Sequence, residues 1–266
     1  MKTCSLEVGV CVKSARSWPR IVVTLISFFG NGTATTLVIV GTPRHVVVAT
    51  DSMSDKLTNN GHTVNTTCKI VSAGKFVYAS AGFTEDIKFN ADKIAGHSAQ
   101  RKGTIAEHAK WYSEDTQQPF LEMMKRFHQS LPELYGRTVS SNGSKLVTVF
   151  AGIENGRPAL ALVEFMVIND PSGKPKDVKT NIGACPDVFC VDPRMDFWRV
   201  FGQNEAAIRA VSGSSRFWTG NDALDARKLV QIEIDAMPDH VGPPIDVVEI
   251  DFTGLRWVEP RGSCLH

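Results

Sequence analysis

The chain has 266 residues, of which 42% are hydrophobic and 21% charged, and its formal net charge is +1 at neutral pH. This is the balance of an ordinary globular protein, long enough to bury a sizeable core. A net charge this close to zero argues against a nucleic-acid partner, because such proteins carry a clustered basic surface.

In chain order, the first feature is a basic segment followed by a nine-residue, mostly apolar run, Ile21 to Phe29. The run is too short to span a membrane, which takes about 20 apolar residues. It fits the apolar core of a secretory signal, with small residues at Gly32 and Ala34 before a cut after Ala34. We therefore expect residues 1–34 to be a removable leader, and residues 35–266 to form a single domain.

Three alternatives to a secretory leader stay open: a self-removed propeptide, a start codon placed too far upstream, and an N-terminal strand that stays attached. The expected location depends on this choice. The protein is extracytoplasmic if residues 1–34 are a signal peptide, and cytoplasmic otherwise.

Strand-like segments follow the leader. Thr33 to Val40 and the apolar run Val46 to Ala49 have strand length and are separated by turn residues. The stretch Lys69 to Gly82 predicts two more strands around a tight turn at Gly74 and Lys75.

The remaining chain predicts helices between blocks of strands. One predicted helix begins near Thr84, and three others run over 117–131, 204–211 and 221–237. The predicted strands cover 146–152, 158–168, 197–201, 245–252 and 255–258. Helices that come in pairs between blocks of strands favour an α+β layered sandwich, with helices outside two packed sheets, over a doubly wound parallel sheet.

The strand end Val-Ala-Thr-Asp-Ser at 48–52, the later Lys69, and Ala81-Gly82 before a predicted helix resemble a proteasome β-type subunit. That family belongs to the N-terminal nucleophile (Ntn) hydrolases. The resemblance spans residues 33–258 in element order, and its specific motifs lie in the first fifty residues of that span. It implies a four-layer αββα sandwich and a threonine-type peptidase or amidohydrolase acting on a peptide or other amide. Members often form rings, so the resemblance allows a homo-oligomer.

An N-terminal threonine can be both nucleophile and base, because its α-amine has a reference pKa of about 7.7–8.0. By the resemblance, Lys69 is the ammonium that keeps this amine unprotonated, and Asp51 is the carboxylate that orients the lysine. The backbone N–H of Gly82 matches the donor to the oxyanion. The spacing to Asp51 indicates Thr35 as the nucleophile, whereas the preceding Gly32 indicates Thr33. We predict Thr35, with Thr33 as the alternative.

One departure from the family pattern bears on activity. Proteasome β-subunits carry serines near the N-terminal amine, but the matching strand end here, residues 200–204, reads Val-Phe-Gly-Gln-Asn. Gln203 or Asn204 would have to substitute. The departure favours the alternative hypothesis of a catalytically inactive relative with a structural or binding role.

Cysteine and histidine spacing indicates no metal chemistry. The six cysteines include no CxxC pair, and the seven histidines have no HExxH spacing. We therefore predict neither a metal nor a cofactor, and expect free buried cysteines.

Overall fold

A computed structural model describes residues 4–5, 10–12, 35–42, 44–58, 61–139, 143–184 and 197–258. Its elements are, in order, β1 Cys4–Ser5, β2 Val10–Val12, β3 Thr36–Gly41, β4 His45–Asp51, β5 Met53–Thr58, β6 Gly61–Thr66, β7 Ile70–Ala73, β8 Phe76–Gly82, α1 Ala91–Ala99, α2 Ile105–Ser130, α3 Pro132–Val139, β9 Leu146–Glu154, β10 Arg157–Asn169, β11 Pro175–Ala184, β12 Phe197–Gly202, α4 Glu205–Gly213, α5 Asp222–Ala236, β13 Ile245–Asp251 and β14 Gly254–Trp257.

The strands form two large antiparallel sheets. One has seven strands in the order β1-β2-β12-β3-β4-β13-β14, and the other has five in the order β11-β10-β9-β8-β7. Strands β5 and β6 pair with each other as a separate ribbon. The apolar runs of β3 and β4 are continuous because both faces of these two strands are buried.

Apolar side chains fill three regions of the core. Leu37 and Val149 pack between the two sheets. Phe120 and Phe165 pack between α2 and the five-stranded sheet, 5.7 Å apart between ring centroids. Leu229 lies in the cluster between α5 and the seven-stranded sheet. The start of β3 and the end of β4 thus lie inside a packed structure rather than at its surface.

The expectation of a four-layer αββα sandwich is wrong. The described residues form a sheet-rich architecture of two antiparallel sheets with five helices, and a ribbon that belongs to neither sheet. The expectation rested on the family resemblance and on an element order that omitted β1, β2, β5, β6, α3 and β11. The segments of β5 and β6 are polar, without the apolar alternation that marks a half-buried strand.

Several predicted elements are confirmed, including the β7–β8 hairpin, β9, β10, β12 and the closing β13–β14 hairpin. The helix predicted near Thr84 is wrong, because α1 begins at Ala91 and Asn90 caps it by accepting from the Lys93 amide at 2.7 Å. The helix predicted from Gln117 in fact begins at Ile105.

The segment expected to be a leader contains the short strands β1 and β2, and β2 pairs with β12. Most of that segment, including Thr33 and the bond after Ala34, lies outside the described residues. Among the helices that the structure describes, none combines the length and the apolar character that crossing a bilayer requires.

Candidate functional site

Thr35 and Asp51 come together because β3 and β4 are neighbours in one sheet. Thr35 directly precedes β3, and Asp51 is the last residue of β4. The ladder pairs Leu37 with Thr50, which brings Thr36 opposite Asp51, and the Thr36 amide donates to Asp51 Oδ1 at 2.8 Å. Both Thr35 and Asp51 are buried.

Lys69 joins this pair from the other sheet, since it directly precedes β7. Its Nζ donates to Thr35 Oγ1 at 3.0 Å and to Asp51 Oδ2 at 2.9 Å. A hydroxyl, an ammonium and a carboxylate therefore form a continuous hydrogen-bonded chain. Of the predicted site residues, the structure brings together Thr35, Asp51 and Lys69.

Backbone amides hold the Asp51 carboxylate in place. Besides Thr36, the Met53 amide donates to Oδ2 at 3.1 Å. The Ser52 amide in turn donates to the Gly242 carbonyl at 3.2 Å. A carboxylate with this many fixed donors has one orientation, so it also fixes the lysine that it contacts.

The buried setting disfavours both charges of the Asp51–Lys69 pair. Burial raises the pKa of Asp51, and the attraction and hydrogen bond of Lys69 oppose that rise. Burial also lowers the pKa of Lys69, and the attraction of Asp51 opposes that fall. The ionisation of each group therefore depends largely on the presence of the other.

Gly202 at the end of β12 and the following Gln203 contact both threonines. The Gln203 amide donates to the Thr35 carbonyl at 3.0 Å, and Thr36 Oγ1 donates to the Gln203 carbonyl at 3.1 Å. Gly202 has φ +75°, and a Cβ built there would lie 1.7 Å from the Thr35 carbonyl oxygen. The close approach and the left-handed backbone both require glycine.

The sequence suggested that Gln203 or Asn204 substitutes for the family's serines. Gln203 contacts the two threonines through its backbone, whose amide binds the Thr35 carbonyl and whose carbonyl binds the Thr36 hydroxyl. The Asn204 side chain instead donates to the Val200 carbonyl of the preceding strand β12 at 3.3 Å. The backbone of Gln203 thus supports the threonines, and a side-chain substitution by either residue stays a prediction.

Gly82 ends β8 with φ +98°, and an added Cβ would lie 2.2 Å from the Lys145 carbonyl oxygen. The neighbouring Ala81 Cβ is 3.7 Å from the position that a Cβ on Gly202 would take. The end of β8 thus borders the strand end that holds Thr35. The role of the Gly82 amide as an oxyanion donor stays a prediction.

Cys68, next to Lys69, is disulfide-bonded. The expectation of a free thiol is wrong at this position. Within the described residues, no group of three or more His, Cys, Asp or Glu side chains could hold a metal ion.

Sequence reasoning missed Gly202 and Gly242. Gly202 carries a signal that could have been used, because a glycine within a strand often marks a close backbone approach. Gly242 carries none, since it meets Ser52 only through folding.

Scans against protein-family models and against curated protein sequences find no match. Among solved structures, the chain is similar to Anbu from Hyphomicrobium sp. strain MC1, with a TM-score of 0.48 and 15% identity over 84% of this chain and 87% of that one. A likeness of this degree assigns neither a family nor an activity, so the function proposed for this chain rests on the geometry of its own site.

Proposed function

We propose that this protein is an N-terminal-threonine hydrolase that cleaves peptide or other amide bonds through an acyl-enzyme on Thr35. The proposal requires removal of residues 1–34. The observation that carries it is the buried chain from Thr35 Oγ1 through Lys69 Nζ to Asp51 Oδ2, at 3.0 and 2.9 Å.

Removal of the leader creates the base. The α-amine of a new N-terminal threonine sits on the same residue as the hydroxyl and has a reference pKa of about 7.7–8.0. The ammonium of Lys69 beside it lowers that pKa, which keeps the amine unprotonated at neutral pH. With the leader attached, Thr35 has no free amine, and Lys69 as an ammonium has no site to accept the hydroxyl proton.

The reaction then proceeds in two halves. Thr35 Oγ forms a bond to the substrate carbonyl carbon while its proton moves to the α-amine. The C–N bond of the substrate breaks as the leaving nitrogen takes that proton, which leaves an ester on Thr35. Water, deprotonated by the same amine, attacks the ester, releases the acid and restores the hydroxyl.

Lys69 and Asp51 act electrostatically in this scheme. The ammonium donates to Thr35 Oγ1 and thereby favours negative charge developing on that oxygen. Asp51 keeps the lysine ionised and fixes its position. The backbone N–H of Gly82, at the bordering end of β8, is the proposed donor to the oxyanion, a contribution of about 2.7–4 kcal/mol where it has been measured.

Acylation by a small activated ester, such as p-nitrophenyl acetate, tests the nucleophile even though the natural substrate is unidentified. After brief incubation of leader-free protein, peptide mapping should place the acetyl group on Thr35 Oγ. Thr35→Ala should abolish the adduct and Thr35→Ser should retain it, whereas the matched variant Thr36→Ser should leave it in place. Because Thr36 is bonded to Gln203, the folding of that control is checked by its melting temperature.

Two results would count against the proposal. Protein processed after Gly32 that carries the adduct on Thr33 would move the nucleophile to the alternative threonine. A leader-free protein that forms no adduct and hydrolyses no peptide or amide would instead favour the catalytically inactive, structural or binding relative.

A further inference from the structure

Ser52 is the residue at which the chain leaves the seven-stranded sheet, between Asp51 and the ribbon that leads towards Lys69. The β4–β13 ladder ends with Asp51 opposite Ile245, and the next strand, β5, pairs only within its own ribbon. Asp51 thus lies at the end of a ladder, where strands open most easily. Contacts beyond the ladder must therefore help to keep the Asp51 carboxylate 2.9 Å from Lys69 Nζ.

Ser52 supplies such contacts, because each of its three polar groups is bonded to another segment of the chain. Its amide donates to the Gly242 carbonyl at 3.2 Å, and its carbonyl accepts from the Thr67 amide at 2.8 Å. Its hydroxyl donates to Asp246 Oδ2 at 3.0 Å. Ser52 thereby joins the end of β4 both to the chain around the start of β13 and to the segment that enters β7.

The bond between Ser52 and Asp246 is buried between the two large sheets. Asp246 lies opposite Thr50 in the β4–β13 ladder, so Ser52, two residues further on, is its diagonal neighbour on the same face. That face also carries Val48 and Val248, which belong to the core between the sheets. Ser52 is 0% and Asp246 1% exposed. Loss of either partner leaves a buried polar group unsatisfied, which favours a shift of the segment.

The bonds of Ser52 act on both charged residues of the candidate site. Asp51 directly precedes Ser52, and Thr67 lies two residues before Lys69. A shift of Ser52 would therefore displace both charged residues from Thr35, whose Oγ1 lies 3.0 Å from Lys69 Nζ. A misplacement of about 1 Å in a catalytic group can lower a rate by about 100-fold.

We propose that Ser52 and Asp246 are positioning residues of the threonine site. Their buried hydrogen bond fixes the end of β4 and, through the Ser52 carbonyl, the segment that carries Lys69. The inference rests on the proposed function for its catalytic meaning, but its structural part can be measured in the full chain without any turnover.

The direct test is amide hydrogen exchange, followed by NMR. Two amides report on the site: that of Thr36, which is bonded to Asp51, and that of Thr67, which is bonded to Ser52. In Ser52→Ala and in Asp246→Ala, both reporting amides should exchange at least about tenfold faster, because the end of β4 opens locally. The Val47 amide, in the middle of β4, should change far less. Equal acceleration at all three amides, or none at the two reporting amides, would overturn the inference.

Thr219→Val is the matched control, because it also removes a hydroxyl bonded to a buried carboxylate. Thr219 Oγ1 donates to Asp225 Oδ1 at 2.9 Å, and Asp225 is fully buried. This bond lies near the start of α5, where Asp222 contacts His45, the first residue of β4. The control should leave the exchange of both reporting amides unchanged.

Asp246→Asn is the conservative variant, since it keeps an acceptor oxygen for the Ser52 hydroxyl. Its reporting amides should exchange at rates between those of the unsubstituted protein and Asp246→Ala. If the alanine variants do not fold, Asp246→Asn carries the test alone. Acceleration confined to the two reporting amides then supports the inference, and its absence overturns it.

The rate of acetylation by p-nitrophenyl acetate provides a second readout in leader-free protein. Ser52→Ala and Asp246→Ala should each slow the acetylation of Thr35 at least about tenfold, and Thr219→Val should not. The double variant should be no slower than the worse single variant, because both substitutions remove the same bond. Rate losses that multiply would overturn the inference. If the protein forms no adduct but the reporting amides respond as expected, the proposed function fails and the positioning role of the bond stands.

Discussion

Separate and joint replacement of Asp51 and Lys69 should show that these two side chains stabilise the fold only together. The Asp51 side chain is fully buried and that of Lys69 is 10% exposed, with 2.9 Å between Nζ and Oδ2. In Asp51→Asn, the new amide N–H groups face the Lys69 ammonium and the Met53 amide, so donors oppose donors. Lys69→Met leaves the Asp51 carboxylate with backbone donors alone.

Removal of one partner from a buried ion pair costs about 3–5 kcal/mol, because the other charge is left without compensation. That is a large share of the roughly 5–15 kcal/mol by which a domain is stable. Replacement of both partners removes the uncompensated charge as well as the attraction. We therefore expect Asp51→Asn with Lys69→Met to be about as stable as the worse single variant, a coupling energy of at least about 2 kcal/mol.

These three variants and the unsubstituted protein form a double-mutant cycle. Urea unfolding at neutral pH measures the free energy of unfolding of all four proteins by linear extrapolation. The exposed pair Lys110–Glu114 on α2, with 3.9 Å between Nζ and Oε1, is the matched control. Its cycle, built from Lys110→Met and Glu114→Gln, should give a coupling of about 0.5 kcal/mol or less. A coupling for Asp51 and Lys69 as small as that of the control would refute the reasoning.

Two further outcomes follow from the geometry. Gly202→Ala should destabilise the protein more than Gly173→Ala. Both glycines have positive φ, but only at Gly202 would the added Cβ lie 1.7 Å from a backbone oxygen. Equal melting temperatures of the two variants would contradict this. His45 Nε2 lies 3.0 Å from the Asp222 carboxylate, and this interaction raises the pKa of His45 above 6.5. The stability contributed by the pair is therefore fully present below about pH 6.5 and is lost as pH rises through the folded-state pKa of His45. His45→Gln should remove that loss, as measured by urea unfolding at several pH values, while His97→Gln on α1 should leave it in place.

Sequence patterns predict elements where local chemistry decides the structure. The apolar run of β4 and the turn at Gly74 and Lys75 lie at their predicted positions. The helix predicted from Gln117 missed the start of α2, although the capping box of Thr104 and Glu107 is a signature visible in the sequence.

The start of α1 depends on a contact distant in the chain. Asp86 looks like a residue of a first helical turn, but Arg126 binds its carboxylate with two bonds, at 2.8 and 3.0 Å. The same carboxylate accepts from the Phe89 amide at 2.7 Å and so shapes a loop instead of a helix. Propensity at Asp86 could not reveal a partner forty residues away.

The candidate site, too, was predictable from the sequence only in part. The resemblance of the sequence motifs to proteasome β-type subunits was enough to name Thr35, Asp51 and Lys69 as a set. The support of Asp51 was not predictable, because Gly242 meets the neighbouring Ser52 only when a distant segment folds against it.

If Thr35 becomes the N-terminal residue of an amide hydrolase, the mass of the active protein must show it. Intact mass is measured on the same purified fractions that are assayed for peptide hydrolysis. We expect active fractions to contain a chain beginning at Thr35. Hydrolytic activity in fractions where residues 1–34 remain attached, and its persistence in Thr35→Ala, would contradict it.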